Sequence, residues 1–393
     1  MDRRTFVHAL GAGAAGLVVA RHTAGGAASA APVPEGFNGP VRIGSNENPY
    51  GPAPSALAAV AATAAGANRY PGPATQALTR AIAEKHGVAV DHVLLSGGSG
   101  DILRAVVSAF TGPSKAIVAG TPSYESPVRS ATNLGAPVKA VPLTNELRLD
   151  LDAMVAVAGD AGLLYICNPN NPTGTAVSAS AVRDAIEKVL AASSGTYVLV
   201  DEAYFEYAEL PGFDTAIPLI AMYPQVIVAR TFSKIHGMAG MRVGYAVAQP
   251  ATLAKLREHH SSSGLSVMSL AAATASIQDT ARIHEQIALN REARKMTVDA
   301  FEGAGYKVAP SDANFIFVRI DRDARGFQEA CRQQNVMVGR AFPPLTTWAR
   351  ISIGTREEME RAIPVFMDVL SRPAAQTARF DPAVLDALPS EMT

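Results

Sequence analysis

The sequence predicts an α/β fold: a mainly parallel seven-stranded sheet covered on both faces, joined to a smaller α/β domain. Three observations predict it. Through the middle of the chain, short apolar runs alternate with helix-length segments. Polar motifs follow several of those runs immediately, as they do where strand carboxyl ends converge on a ligand. The length, 393 residues with 48% hydrophobic composition, supplies apolar surface for one large core and one smaller one.

In chain order, Asp2-Arg3-Arg4-Thr5-Phe6 precedes an Ala/Gly-rich apolar run, and Ala28-Ser29-Ala30 then offers a small-residue cleavage pattern. This resembles a twin-arginine export signal over residues 1–31, with a periplasmic or extracellular destination. The run is too short and too glycine-rich for stable membrane insertion. Residues 32–62 read as a linker and an N-terminal arm whose 41–45 stretch joins the smaller domain. A large domain follows over 63–285, with strands expected at 93–96, 116–119, 138–142, 163–167, 197–200, 226–229 and 243–247. A helix over 178–193 fits between two of them. The smaller domain, 286–372, takes a charged amphipathic helix over 283–303, strands at 314–320 and 350–353, and a closing helix at 357–370. Residues 373–393 read as a loosely held tail.

Charge and cysteine usage remove several function classes. With 34 basic and 35 acidic residues the net charge is −1, so no basic field recommends nucleic acid. Cys167 and Cys331 are too few for a disulfide framework, and no cluster with metal-ligand spacing is indicated.

The most specific segment is Arg230-Thr231-Phe232-Ser233-Lys234, followed by a glycine-rich stretch that reaches Arg242 and Gly244. It sets a lysine just past an apolar strand, beside two hydroxyls and a permanently charged guanidinium. That is the layout of a lysine that condenses with an aldehyde cofactor next to a phosphate site, as in pyridoxal-phosphate chemistry. Asp201 ends another apolar strand, where an unpaired carboxylate is costly; a ring-nitrogen partner and a helix cap are the competing explanations. The run Ser96-Gly97-Gly98-Ser99-Gly100 leads from a strand into an apolar helical pattern, so its amides can face an anion.

Taken together with Ser45–Pro52, Arg69-Tyr70-Pro71, Cys167–Gly174, Val200–Tyr204 and Arg350–Thr355, the chain resembles fold-type I pyridoxal-phosphate enzymes, specifically the histidinol-phosphate aminotransferase group. The resemblance implies an aminotransferase moving an amino group between an amino acid and a 2-oxo acid. It implies that Lys234 carries the covalent link and that Asp201 keeps the pyridinium nitrogen protonated. Tyr204 and Asn171 would bond the ring's phenolic oxygen, and Tyr124 would stack on the ring. Ser99, Gly100, Thr231, Ser233 and Arg242 would form the phosphate cup, with Gly100 standing where the group has an acidic residue. Tyr70 would complete that cup from a neighbouring subunit, making the active unit a homodimer. On the substrate side Arg350 would hold the α-carboxylate, with Asn46, Tyr50 and Arg340 nearby.

One departure stands out. Where the group has an arginine directly after a strand valine, this chain reads Val338-Gly339-Arg340, displacing the arginine by one residue. Histidinol phosphate is therefore not implied as the substrate. The cofactor motifs also admit a lyase, decarboxylase, racemase or oxidase, because the scissile Cα bond is chosen by the substrate pocket. An exported solute-binding protein is the non-enzymatic alternative, but it gives Lys234, Asp201, Asn171 and Arg242 no common purpose.

Overall fold

The computed structural model describes residues 39–260 and 264–373, so the expected signal and most of the expected tail lie outside the described residues. In chain order the strands are β1 (Val41–Ile43), β2 (Val93–Ser96), β3 (Ile117–Thr121), β4 (Val138–Pro142), β5 (Leu163–Cys167), β6 (Tyr197–Asp201), β7 (Val226–Thr231), β8 (Gly244–Ala248), β9 (Lys307–Val308), β10 (Phe315–Arg319), β11 (Val336–Val338) and β12 (Trp348–Ser352). β2 to β8 form one seven-stranded sheet in the order β2-β8-β7-β6-β5-β3-β4. Every neighbouring pair in it is parallel except those of β8, which is antiparallel to both β2 and β7.

The apolar runs become strands because both faces of this sheet are covered. Leu94, Ile117, Leu163, Tyr165, Leu199 and Ile227 pack on one face. Val93, Leu95, Val118, Leu164, Val198 and Val228 pack on the other. Each fully buried aliphatic side chain stabilises the fold by about 1.5–3 kcal/mol, so either face alone would leave half the run exposed. The helix Ala179–Ala192 buries Val182, Ala185, Ile186 and Val189 at helical spacing, and its first turn is capped by the Ser178 hydroxyl accepting from the Ala181 amide.

The reversed β8 has a chain-level cause. Only residues 232–243 separate it from β7, and they form no crossover helix, so the chain must turn back rather than cross over. The register Thr231↔Gly244 then closes that loop at the carboxyl edge of β7. β7 also runs past its apolar pattern through Arg230 and Thr231. Arg230 is buried there, but Glu202 accepts from its Nε and Nη2 at 2.9 and 2.7 Å, which removes the penalty of an unpaired charge.

The remaining strands form two small sheets. β9, β10 and β12 are antiparallel in the order β12-β10-β9, and β1 pairs in parallel with β11, Val41 opposite Val336. Phe301, Phe327, Phe366, Ile316 and Ile351 make a separate apolar core with Val41 and Ile43. The helix Arg356–Ser371 covers it and starts with a reciprocal cap between Thr355 and Glu358.

Candidate active site

Four strands, β2, β5, β6 and β7, deliver polar residues to one edge. Ser96 ends β2 opposite Gly244, Cys167 ends β5 opposite Asp201, and Asp201 lies opposite Ala229 just before the Lys234 loop. The helix Ser99–Phe110 begins at this edge with Gly98 as its cap residue and no side chain closing its first turn. Its first amides are therefore open to an anion. Arg242 reaches the same place, donating to the Gly97 carbonyl at 3.3 Å, the Ala239 carbonyl at 2.9 Å and the Ser233 hydroxyl at 3.4 Å. The Thr231 hydroxyl accepts from the Ser233 amide at 3.0 Å. Gly98 is held at φ +93°, and a Cβ there would lie 2.3 Å from Arg242 Nη2, so only glycine admits the guanidinium. Beside Gly100, Asp101 carries the nearest carboxylate of the turn and is ion-paired to Arg104.

Lys234 lies on the far side of this cradle. Its Nζ donates to the backbone carbonyls of Asn46 at 3.0 Å and Ser45 at 3.3 Å, and sits 5.6 Å from the Tyr204 ring centre. Burial, and after it the positive charge of Arg350, push its ammonium down to about 8. About a tenth of the amine is therefore neutral at pH 7, far more than for a free lysine, which is what a nucleophilic amine needs. Asp201 is shifted the other way, up to about 6, by burial; bonds from the Tyr165 hydroxyl and the Ala203 amide oppose that rise. Tyr165 donates to Asp201 Oδ2 at 3.0 Å, whereas Oδ1 is buried with no hydrogen-bond partner among the described residues.

A bridge links Tyr204 to the small sheets. Asn46 Nδ2 donates to the Tyr204 hydroxyl at 3.1 Å and Asn171 Nδ2 donates to it at 3.4 Å. Ser352 donates to Asn46 Oδ1 at 2.7 Å. Arg350 donates to Asn171 Oδ1 at 2.8 Å and to the Gly44 carbonyl at 2.6 Å, while its buried Nε has no partner among the described residues. Its guanidinium lies 4.8 Å from the Phe342 ring centre and 5.7 Å from that of Phe315.

The structure thus brings together Lys234, Asp201, Tyr204, Asn171, Asn46 and Arg350, with Ser99, Thr231, Ser233 and Arg242 alongside. Asn46 enters differently from expectation: its side chain is taken up by Tyr204 and Ser352, and its carbonyl faces the lysine. Tyr124 sits at the rim, 38% exposed, within the field of Asp201 and Cys167. Tyr70 is 99% exposed and joins no part of this cluster in its own chain. Tyr50 is set among Glu357, Glu358 and Glu292, whose charges with burial raise its phenol, rather than beside Arg350. Arg340 is ion-paired to Glu125 at 2.6 Å and stacks 4.4 Å from the Phe342 ring centre. Sequence reasoning missed Tyr165, Ser352 and Glu125. Tyr165 alone left a trace, because a period-two strand puts it on the same sheet face as Cys167.

This donor set fits pyridoxal phosphate. A buried carboxylate oxygen awaits a proton donor, a depressed lysine awaits an aldehyde, and an arginine with open helix amides awaits a phosphate. The family model for aminotransferase class I and II matches residues 39–366. A histidinol-phosphate aminotransferase of Symbiobacterium thermophilum is 37% identical over 333 residues, 84% of this chain and 90% of that protein. An aromatic amino acid aminotransferase of Rhodococcus opacus is 36% identical over 344 residues, 87% of this chain and 94% of that protein. The crystal structure of the Sinorhizobium meliloti histidinol-phosphate aminotransferase in complex with pyridoxal-5'-phosphate superposes with a TM-score of 0.78 at 28% identity, covering 84% of this chain and 90% of that one.

These relatives also correct the expected export. Two of them are named histidinol-phosphate aminotransferase, and the family match opens at residue 39, past Arg3, Arg4 and the apolar run that prompted the expectation. The twin-arginine reading is withdrawn.

Proposed function

The chain belongs to the class I and II aminotransferases and is a pyridoxal-phosphate-dependent transaminase, and from that premise we propose that its preferred donor is a free amino acid with an apolar or aromatic side chain. The observation that carries this reading is the neutralised arginine. Arg340 is paired with Glu125 and lies on Phe342, so an anionic substrate tail would have to compete with Glu125 for it. Gly339 cannot supply one either: a Cβ there would approach the Arg350 carbonyl to 2.7 Å and its Nε to 3.3 Å. Phe342, buried against both guanidiniums, makes this side of the site partly aromatic. A missing phosphate contact costs about 1.5–3 kcal/mol, or roughly ten- to a hundredfold in specificity. In a steady-state panel, kcat/KM for phenylalanine, tyrosine or leucine is expected to exceed that for histidinol phosphate. The phosphate ester emerging first would overturn the substrate reading and leave the reaction class intact.

In this reading each residue has one task. When bound, the cofactor supplies an aldehyde for the donor amine and a ring that accepts the electrons released at Cα. Asp201 Oδ1 would hold a proton on the ring nitrogen. Tyr204 and Asn171 would bond the phenolic oxygen, and Tyr124 would cover the ring from the rim. Lys234 Nζ would take the donor's Cα proton. Arg350 would receive the α-carboxylate, as a guanidinium suits a carboxylate. Ser99, Gly100, Thr231, Ser233 and Arg242 hold the phosphate. An exposed Tyr70 suits a homodimer in which it reaches the partner's phosphate site. Residues 63–285 then act as the large domain and 286–372 as the small one.

The phosphate assignment makes its own prediction. Gly98→Ala forces Arg242 out of the cradle and adds a Cβ at positive φ. Affinity for pyridoxal phosphate, measured by equilibrium dialysis, is expected to fall about ten- to a hundredfold, the value of one charged hydrogen bond. Unchanged affinity would remove Arg242 from the phosphate site.

A further inference from the structure

We infer that Tyr165 is a positioning residue for the reaction: it fixes Asp201 so that one carboxylate oxygen alone is left to meet the cofactor. The geometry follows from the sheet. β5 and β6 are parallel neighbours with Tyr165 opposite Leu199 and Cys167 opposite Asp201. Residues 165, 167, 199 and 201 share one face by the period-two rule, which makes Tyr165 the diagonal neighbour of Asp201. The Tyr165 ring belongs to the buried cluster that holds Leu163, Leu199 and Ile227, and its hydroxyl lies beside the Cys167 thiol as well as Asp201. There it donates to Asp201 Oδ2 at 3.0 Å.

Two consequences follow from that bond. A carboxylate with both oxygens free can rotate about its terminal torsion, which is broad and nearly two-fold. With Oδ2 held, rotation is blocked and Oδ1 keeps one direction. The bond also favours the charged form of Asp201 against the burial that opposes it. Other groups act on the same carboxylate: Glu202 beside it in the chain, Lys234 from the β7–β8 loop, Tyr124 from the β3 side, Cys167 from β5, and Tyr204. Among these, Tyr165 and the Ala203 amide are the groups whose hydrogen bonds hold the carboxylate charged.

The inference rests on Asp201 meeting the ring nitrogen, and the test separates the two. Tyr165→Phe retains the ring and removes only the hydroxyl. Its kcat is expected to fall about tenfold, the effect of one hydrogen bond to a charged group, with KM for the amino acid nearly unchanged. The acid limb of its pH–kcat profile, and of the bound cofactor's absorbance titration, is expected to move to higher pH, because the charged carboxylate has lost a donor. In an Asp201→Asn background the same change is expected to do almost nothing, since residues acting as a unit are not additive. Site-specific 3-fluorotyrosine at 165, a more acidic phenol of nearly the same shape, is expected to move the absorbance titration to lower pH, and it remains informative should the phenylalanine variant fold poorly. An active, unshifted Tyr165→Phe enzyme, or equal losses in both backgrounds, overturns the inference for Tyr165. Wild-type turnover in Asp201→Asn alone would instead overturn the role of Asp201.

Discussion

Lys234→Ala is expected to lower kcat by about 10⁴-fold or more, because one substitution removes both the covalent anchor and the group that moves the Cα proton. Binding should suffer far less, since the phosphate cradle around Arg242 and the helix Ser99–Phe110 does not involve the amine. Folding should also survive. The amine is held down to about 8, well below its unfolded value, so charging it in the folded protein carries a cost at every pH below that point. Cofactor-free Lys234→Ala should therefore melt no lower than the cofactor-free parent at pH 7. Borohydride reduction of the parent enzyme followed by peptide mapping should place the cofactor mass on Lys234. Mass on another lysine, or a variant within tenfold of wild-type turnover, removes Lys234 from the centre of the mechanism.

Asp201→Asn should cost about 2.7–4 kcal/mol of transition-state stabilisation, roughly a hundred- to a thousandfold in kcat, the range for losing one preorganised electrostatic partner. Its effect on stability should have the opposite sign. The folded carboxylate titrates near 6 and the unfolded one near 3.8, so the folded state holds its proton to higher pH. The stability associated with that proton is fully present below about pH 4 and is lost as pH rises through 6. A shift of about two units corresponds to about 3 kcal/mol as an order of magnitude. Cofactor-free Asp201→Asn should thus melt higher than the cofactor-free parent at pH 8, the gap closing toward pH 4. A variant that is both less stable at pH 8 and fully active would show that Asp201 is structural.

Much of the fold was legible because its causes are local. Apolar runs of strand length separated by helical spacing placed β2 and β5 to the residue, since a strand buried on both faces needs an unbroken apolar run, and placed β4 as well, a partly exposed edge strand that carries Lys139. The ends of β6 and β7 were less legible. Asp201, Arg230 and Thr231 are polar, and what keeps them in the sheet is a ladder of backbone bonds and, for Arg230, a partner, Glu202, directly after β6. The reversal of β8 could have been inferred from the missing crossover helix. Its consequence, Lys234 and Arg242 closing over one sheet edge, depends on register.

The sequence by itself determined the cofactor chemistry: Lys234, Asp201, Asn171 and Arg242 each lie at a strand end or in the turn beside one, and strand direction carries them to the same edge whatever the loops do. Tertiary structure decided how those groups are tuned. Arg340 is a free cation in the sequence and a neutralised one in the fold, because Glu125 comes from the other half of the chain. Gly339 looks like a gap and proves to be a steric requirement of Arg350. Tyr165 reads as a core aromatic until Asp201 is placed diagonally across from its hydroxyl. Hydrophobic periodicity is written along the chain and survives without three dimensions; charge pairing, burial and the last unpartnered oxygen exist only between segments that folding brings together.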